Sequence, residues 1–180
     1  MWRIHRHIGM GGDQLVAAVA GDAIEERLGD RLRDAAHEEF QKLRDECAPL
    51  EGARELCVEL KRRGLALVLA SSASQDDLDH FLDVLGVREV VDGWTTADDV
   101  ERTKPHPDVV EAALDKAGTR AAVMVGYSRW DVEAAANAGL ETICVITGGW
   151  SEQELRDAGA RCVFDSLVEL RERLDATPLS

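Results

Sequence analysis

The chain has 180 residues, room for one α/β domain or for a core with a smaller second lobe. With 45% hydrophobic and 31% charged residues it is a globular composition, and wholesale disorder is excluded. Asp and Glu number 35 against 21 Lys and Arg, and a net charge of −14 excludes nucleic acid and anionic membrane surfaces as expected partners.

The chain divides near Pro49: residues 1–50 read as helical, residues 51–180 as helices alternating with short apolar runs. The basic start MWRIHRHIGM has no apolar stretch behind it, so no secretory signal is expected. His5 and His7 alternate there, a spacing that reads as loop before metal site. Gly9-Met10-Gly11-Gly12 follows no strand and is too loose for a dinucleotide fingerprint. Gly12–Val19 predicts a short apolar helix. Asp30–Cys47 predicts a longer one with Leu32, Ala36, Phe40, Leu43 and Cys47 on one face, its charges a solvated face. A helix over Gly52–Arg63 leads into Leu65–Ala70, LALVLA, a buried strand. A helix ending at Gly86, a short run Glu89–Val91, a helix over Pro107–Lys116 and the strand Ala122–Val125 come next. The following helix runs to Ala138 and is closed by Gly139. Then come strand Thr142–Ile146, loop Thr147–Trp150, and a helix announced by the capping box Ser151 and Glu154. Arg161–Phe164 is a last strand and Leu167–Leu174 a last helix. Such alternation predicts an α/β fold, a doubly wound parallel, Rossmann-like sheet covered on both faces. No run approaches the about 20 apolar residues of a bilayer crossing, so no membrane is expected as partner. Cys47, Cys57, Cys144 and Cys162 show no ligand spacing and read as small core residues of a cytoplasmic chain.

Ligands of open parallel sheets bind at the carboxyl ends of the strands, and three such ends carry polar groups. Leu65–Ala70 ends in Ser71-Ser72, whose hydroxyls and amides can hold a phosphate oxygen. The plainer reading is that Ser71, Ser72 and Ser74 cap the next helix. Thr103-Lys104-Pro105-His106-Pro107-Asp108 holds Lys104 on a stiffened loop, where it can neutralise a phosphate or carboxylate, or simply be exposed. Val123 to Asp131 makes a strand, a tight turn and a helix start. There Asp131 either complements the helix dipole or orients Lys104 or a metal-bound water. Gly126-Tyr127-Ser128-Arg129-Trp130 sits where a nucleophile elbow would, yet lacks its second Gly, and no His follows His106. Trp150 either covers a pocket mouth or packs on the last helix, with packing preferred.

In this order and spacing the three segments resemble the haloacid dehalogenase superfamily, in its phosphoglycolate phosphatase and β-phosphoglucomutase-like branch. LVLASSAS resembles that family's second motif at Ser71, TKPHPD its third at Lys104, and VGYSRWDVEAAANAGL its fourth, which in the family reads Gly-Asp-Ser, two residues, Asp. The N-terminal helices resemble the inserted helical cap. The resemblance implies Mg²⁺-dependent hydrolysis of a small phosphorylated metabolite through an aspartyl-phosphate. It implies Ser71, Ser72 and Lys104 as phosphate ligands, and Lys104 and Asp131 as the retained catalytic residues.

Two departures from the family pattern stand out. Its first motif, an apolar strand ending in Asp-x-Asp, is missing, and with it the nucleophile and the general acid. The only Asp-x-Asp, Asp77-Leu78-Asp79, falls inside a helix. Tyr127 stands where the family has its Mg²⁺-binding Asp, leaving Asp131 as the one acidic candidate ligand. The expectation is a truncated or mis-started phosphatase chain, inactive as it stands. The alternative is a decayed relative kept as a phosphate-binding or interaction module. Without the family's first strand, Leu65–Ala70 and Ala122–Val125 must pair directly or leave an open seam, with self-association through the exposed sheet expected.

Overall fold

A computed structural model describes residues 2–180. Helices α1 (Trp2–His5), α2 (Gly12–Ala20) and α3 (Asp22–Leu43) open the chain. Gly21, at φ +87°, turns α2 directly into α3, a backbone conformation that a side chain at this position would strain. The second helix is the predicted one, but α3 starts well before Asp30 and gives way to a single 3-10 turn at Arg44–Glu46. Its predicted apolar stripe is not buried. Leu32 is 44% and Leu43 55% exposed, Cys47 is exposed, and only Gly29 of α3 is buried. The physical reason is a shortage of partners: α3 packs along the short α2, and its end touches the second half of the chain through Phe40 against Phe81, Gln41 on Asp77 and Arg44 on Asp76.

From Ala53 onward helices and strands alternate. The order is α4 (Ala53–Arg62), β1 (Val68–Leu69), α5 (Gln75–Leu85), β2 (Gly93–Trp94), α6 (Asp108–Ala117), β3 (Val123–Gly126), α7 (Arg129–Asn137), β4 (Glu141–Val145), α8 (Glu152–Asp157), β5 (Cys162–Phe164) and α9 (Leu167–Glu172). Every strand pair is parallel. Helices cover both faces. Leu56 and Leu60 of α4 and Leu170 of α9 pack on Ile143, Val145 and Phe164. On the other face Val109, Val110 and Leu114 of α6 meet Ala134, and Val132 of α7 packs with Cys144, Trp150 and Leu155. Trp150 therefore sits against α7 and α8, and not against the last helix.

Three sequence expectations need correction. Glu89–Val91 is not a strand: the amides of Val90 and Val91 both fold back onto the carbonyl of Val87, and the strand is Gly93–Trp94 instead. Asp92 sets that register, since its carboxylate accepts from the Leu67 amide while its own amide donates to the Leu67 carbonyl. Pro107 caps α6 without entering it. Finally, the sheet is not one sheet. β1–β2 and β3–β4–β5 are separate.

The break lies between β1 and β3, and alternation along each strand shows what faces it. The carbonyls of Leu67 and Leu69 accept from Asp92 and Thr95 on the β2 side, so Ala66, Val68 and Ala70 turn their N–H and C=O groups the other way. Arg161 donates to the Thr142 carbonyl, so Glu141, Ile143 and Val145 face β3. With Met124 opposite Thr142, the residues Met124 and Gly126 bond β4, and Val123 and Val125 point into the gap. The gap is apolar on both faces. A 460 Å³ cavity opens toward Leu56, Leu78 and Phe81, and a 110 Å³ cavity toward Val110, Ala113 and Leu114; both reach Val68, Ala70, Val123 and Met124. Of the two outcomes the sequence allowed, the chain takes the open seam.

Backbone groups kept from any partner and from water cost about 1–3 kcal/mol each. Amide exchange along β3 should therefore alternate. Met124 and Gly126 are expected to exchange roughly 100-fold more slowly than Val123 and Val125. Equal protection at all four, measured by heteronuclear NMR, would mean that β1 and β3 pair directly.

Candidate functional site

The carboxyl end of β3 carries the densest polar cluster of the predicted site. Ser128 caps α7 by accepting from the Asp131 amide, while Asp131 Oδ2 accepts from the Ser128 amide at 3.0 Å, the Ser128 hydroxyl at 2.8 Å and the Tyr127 amide at 3.1 Å. This is a complete capping box with one extra amide gathered in. Gly126 makes it possible, because a Cβ there would stand 2.6 Å from that of Asp131. The other oxygen, Oδ1, takes Lys104 Nζ at 2.8 Å, with the two side chains 2% and 16% exposed. Burial alone would lower the Lys104 pKa, but the Asp131 charge and hydrogen bond outweigh it and hold the ammonium above its usual range, with Tyr127 helping.

Lys104 sits on a tightly moored loop. The Lys104–Pro105 peptide is cis, Asn137 donates to the Pro105 carbonyl, and Gly11 donates to the Lys104 carbonyl. Asp13 accepts from both the amide and the hydroxyl of Thr103. Residues 5–13 thus lie across this end of the core. A Cβ on Gly9 would collide with Ser128, His7 stacks on Trp130, and Arg6 lies over the Trp150 ring and pairs with Glu154. His5 rests against Gly149. Sequence reading missed this role of Gly9 and Gly11; the signal was the glycine cluster itself, small where a backbone must approach closely.

Ser71 stands at the end of β1. Its amide donates to Thr95 Oγ1, that hydroxyl donates back to the Ser71 carbonyl, and Ser71 Oγ accepts from the Ala73 amide, leaving its own O–H free to donate. Thr95, fully buried, is a clamp with no signal in the sequence, because the apolar run Glu89–Val91 and not Gly93–Trp94 looks like the second strand. Ser74, not Ser71, caps α5. Ser72 makes no hydrogen bond among the described residues and is half-buried. The structure brings Lys104 and Asp131 together, whereas Ser71 and Lys104 share no bond, and the seam cavity that Ser71 lines does not include Lys104. Asp77 accepts from Ser74, Gln41 and Arg44 in the first turn of α5, well occupied as a structural carboxylate.

Mg²⁺ requires carboxylate oxygens with lone pairs to spare. Both Asp131 oxygens are engaged inside the protein. The Tyr127 phenol is pushed above its usual range by burial, against the pull of Lys104 and with the push of Asp131, so it stays neutral. These residues do not fit a magnesium ion. Cys144, behind them, is inert as a thiol: burial and the Asp131 charge raise it to about 12.

Residues 2–145 match the model of the haloacid dehalogenase-like hydrolases, and the chain belongs to that family. Within it the chain falls in the phosphoglycolate phosphatase and β-phosphoglucomutase-like branch. It is 31% identical over 139 residues to a phosphoglycolate phosphatase of Rhodospirillum rubrum, which covers 71% of this chain and 57% of the relative. A hydrolase from Pseudomonas syringae superposes with a TM-score of 0.89 at 30% identity, covering 97% of this chain and 82% of that one. CbbY from Rhodobacter sphaeroides, solved in complex with phosphate, gives 0.67 at 30% identity over 79% of this chain and 65% of that one. The chain spans about half the length of the curated relatives it matches.

Removing Lys104 leaves Asp131 buried with one oxygen unpaired. Lys104→Met should cost about 3–5 kcal/mol in urea unfolding at neutral pH, and Asp131→Asn in the same chain should recover part of it. Because the folded pKa of Lys104 is raised, the pair's contribution is complete below about 10.5 and is lost as pH rises through the folded value. The wild-type and Lys104→Met stabilities should converge only in strongly alkaline solution.

Proposed function

We propose that these residues carry the phosphate-binding part of a phosphomonoester hydrolase site. Ser71, through its free O–H, and Ser72, through its hydroxyl and amide, would take phosphoryl oxygens, and Lys104 would neutralise them. Asp131 holds Lys104 in place and is not the nucleophile. The substrate class is a small phosphorylated metabolite, and residues 1–50 act as a helical cap over a core of residues 51–180. The single observation that supports this reading best is the buried Lys104–Asp131 pair at 2.8 Å, set at the carboxyl end of β3 on a loop tied down from three sides.

Turnover is a different matter. Formation of an aspartyl-phosphate needs a carboxylate oxygen free to attack, and both Asp131 oxygens are already hydrogen-bonded, Oδ1 to the ammonium of Lys104 and Oδ2 to Ser128 and the Tyr127 amide. The residues present also lack a fit for the metal that would offset the developing charge. As it stands this chain binds phosphate without hydrolysing its esters. The same saturation of Asp131 favours the second reading, a family fold kept as a phosphate-binding or interaction module.

Two measurements test it. Hydrolysis of p-nitrophenyl phosphate by the wild-type chain should not exceed that of Lys104→Ala, with or without Mg²⁺, and Tyr127→Asp alone should not raise it. Binding of inorganic phosphate, followed by ³¹P line broadening, should weaken roughly tenfold or more in Ser71→Ala, the loss of one hydrogen bond to a charged group. Mg²⁺-dependent turnover abolished by Lys104→Ala would overturn the inactive reading. Unchanged phosphate binding in Ser71→Ala would remove the proposed pocket.

A further inference from the structure

Where the sequence departs from its family pattern inside the fourth motif, the polar cluster carries a phenol and not a carboxylate. We propose that Tyr127 is an oxyanion donor, and that with Lys104 it makes a site that works without a divalent cation and prefers a singly charged tetrahedral oxyanion ester to a doubly charged one. The inference rests on the phosphate-binding reading of Ser71 and Lys104 and names the ligand class of that same site.

Backbone and ring of Tyr127 are both held. Its amide donates to Asp131 Oδ2 at 3.1 Å, and its ring lies against Gly148, where any Cβ would overlap ring carbons Cδ2 and Cε2. The glycine is what admits the ring. Lys104 Nζ meets the other oxygen of the same carboxylate at 2.8 Å, so the ammonium and the tyrosine backbone flank one group at the carboxyl end of β3. Burial raises the phenol first, and the charges of Lys104 and Asp131, pulling opposite ways, act on it next, so it lies within the field of both. The hydroxyl has no hydrogen-bond partner among the described residues, and 36% of the residue is exposed. A neutral phenol has one O–H to give, and an ammonium three N–H, of which Asp131 takes one. With both Asp131 oxygens engaged, what this cluster offers a ligand is donors.

Charge selects the ligand. The Lys104 ammonium is matched by Asp131, and Tyr127, Ser71 and Ser72 add no charge, so these residues together carry none. Arg6 is paired with Glu154 and Arg102 with Asp108. Arg129, two residues on from Tyr127, lies over the Trp130 ring and has no carboxylate partner among the described residues, and its one charge matches one anionic charge and not two. A divalent cation would change the balance, but its place asks for carboxylate oxygens and holds a phenol. One negative charge on the ligand can be met by the donors. A second leaves water with no cation to meet it, and the net charge of −14 opposes it further. Sulfate monoesters and phosphodiesters share the chemistry that fits: tetrahedral, fully ionised and singly charged.

Tyr127 is the only tyrosine of the chain, so labelling with ¹³Cζ-tyrosine gives one signal that reports its hydroxyl. The probes are methyl sulfate and dimethyl phosphate, both singly charged, and methyl phosphate, doubly charged at about pH 8. Methyl sulfate should move the Tyr127 signal along a 1:1 isotherm, bind at least as tightly as methyl phosphate, and gain nothing from Mg²⁺ at matched ionic strength. Dimethyl phosphate separates the two sources: binding that equals methyl sulfate assigns phosphodiesters, weaker binding assigns sulfate esters, and either supports the charge rule. Tyr127→Phe keeps the ring on Gly148 and the amide on Asp131 and loses only the O–H, so it should bind methyl sulfate roughly tenfold more weakly at an unchanged melting temperature. Tighter binding of methyl phosphate, or any ligand tightened by Mg²⁺, would overturn the ligand class. Undiminished binding in Tyr127→Phe, or a bound ligand that leaves the Tyr127 signal in place, would overturn the role of the phenol. Ser71→Ala tells this inference from the reading beneath it. Loss in Tyr127→Phe with none in Ser71→Ala would remove the Ser71 pocket and keep the tyrosine site, and the opposite pattern would do the reverse. No binding of any probe to the wild-type chain would overturn both.

Discussion

A parallel strand inside a sheet must find partners for its backbone on two edges, and β1 and β3 each find them on one. Much of the molecule is arranged around that shortfall. α4, α5 and α9 close one face of the gap and α6 the other, so the strands stay apart without losing their covering helices. The Asp92 carboxylate and the Thr95 hydroxyl bind β1 firmly to β2, which fixes its free edge toward β3. A sheet built from two halves is then held together by side-chain packing and not by a continuous ladder. Packing is non-directional. That is why the gap can exist in an ordered core.

At the carboxyl end of the same strands one carboxylate does several jobs. Asp131 completes the α7 cap, ties back the Tyr127 amide and neutralises Lys104. Each bond makes the next one better placed, since Gly126 brings the carboxylate over the strand end and Ser128 fixes its rotamer. The cost is that both oxygens are engaged inside the protein. A carboxylate so engaged orients a lysine, and Tyr127 beside it adds a neutral phenol. The family likeness and the local chemistry therefore point in different directions: the Lys104–Asp131 pair matches the family's third and fourth motifs, while the phenol of Tyr127 stands where the family has a carboxylate.

Much of this was legible in the order of residues. The apolar runs at Leu65–Ala70 and Ala122–Val125 carry a local signal and hold β1 and β3, although only Val68–Leu69 of the first run is strand, and Asp131 falls in the first turn of α7 as its position after the tight turn implied. β2 did not show itself, because Gly93–Trp94 is two residues long and has no alternation, while Val90-Val91 looks more like a strand than it is. The stripe on α3 was legible as a pattern but not its fate: periodicity says which residues share a face and not whether a partner covers it. The saturation of Asp131 was hidden for a related reason. Two of its bonds come from backbone amides, whose direction depends on the turn at residues 127–128 and leaves no trace in composition.

Where the backbone hydrogen bonds of β3 go decides whether the seam exists. Scalar couplings across hydrogen bonds, from amide nitrogen to carbonyl carbon, report this directly in the labelled chain. The expected result is a coupling from the Met124 amide to the Glu141 carbonyl, and none between Val123 or Val125 and any of Ala66, Val68 and Ala70. A coupling across that last set would show the two halves joined in one sheet, and would contradict the seam and what is built on it.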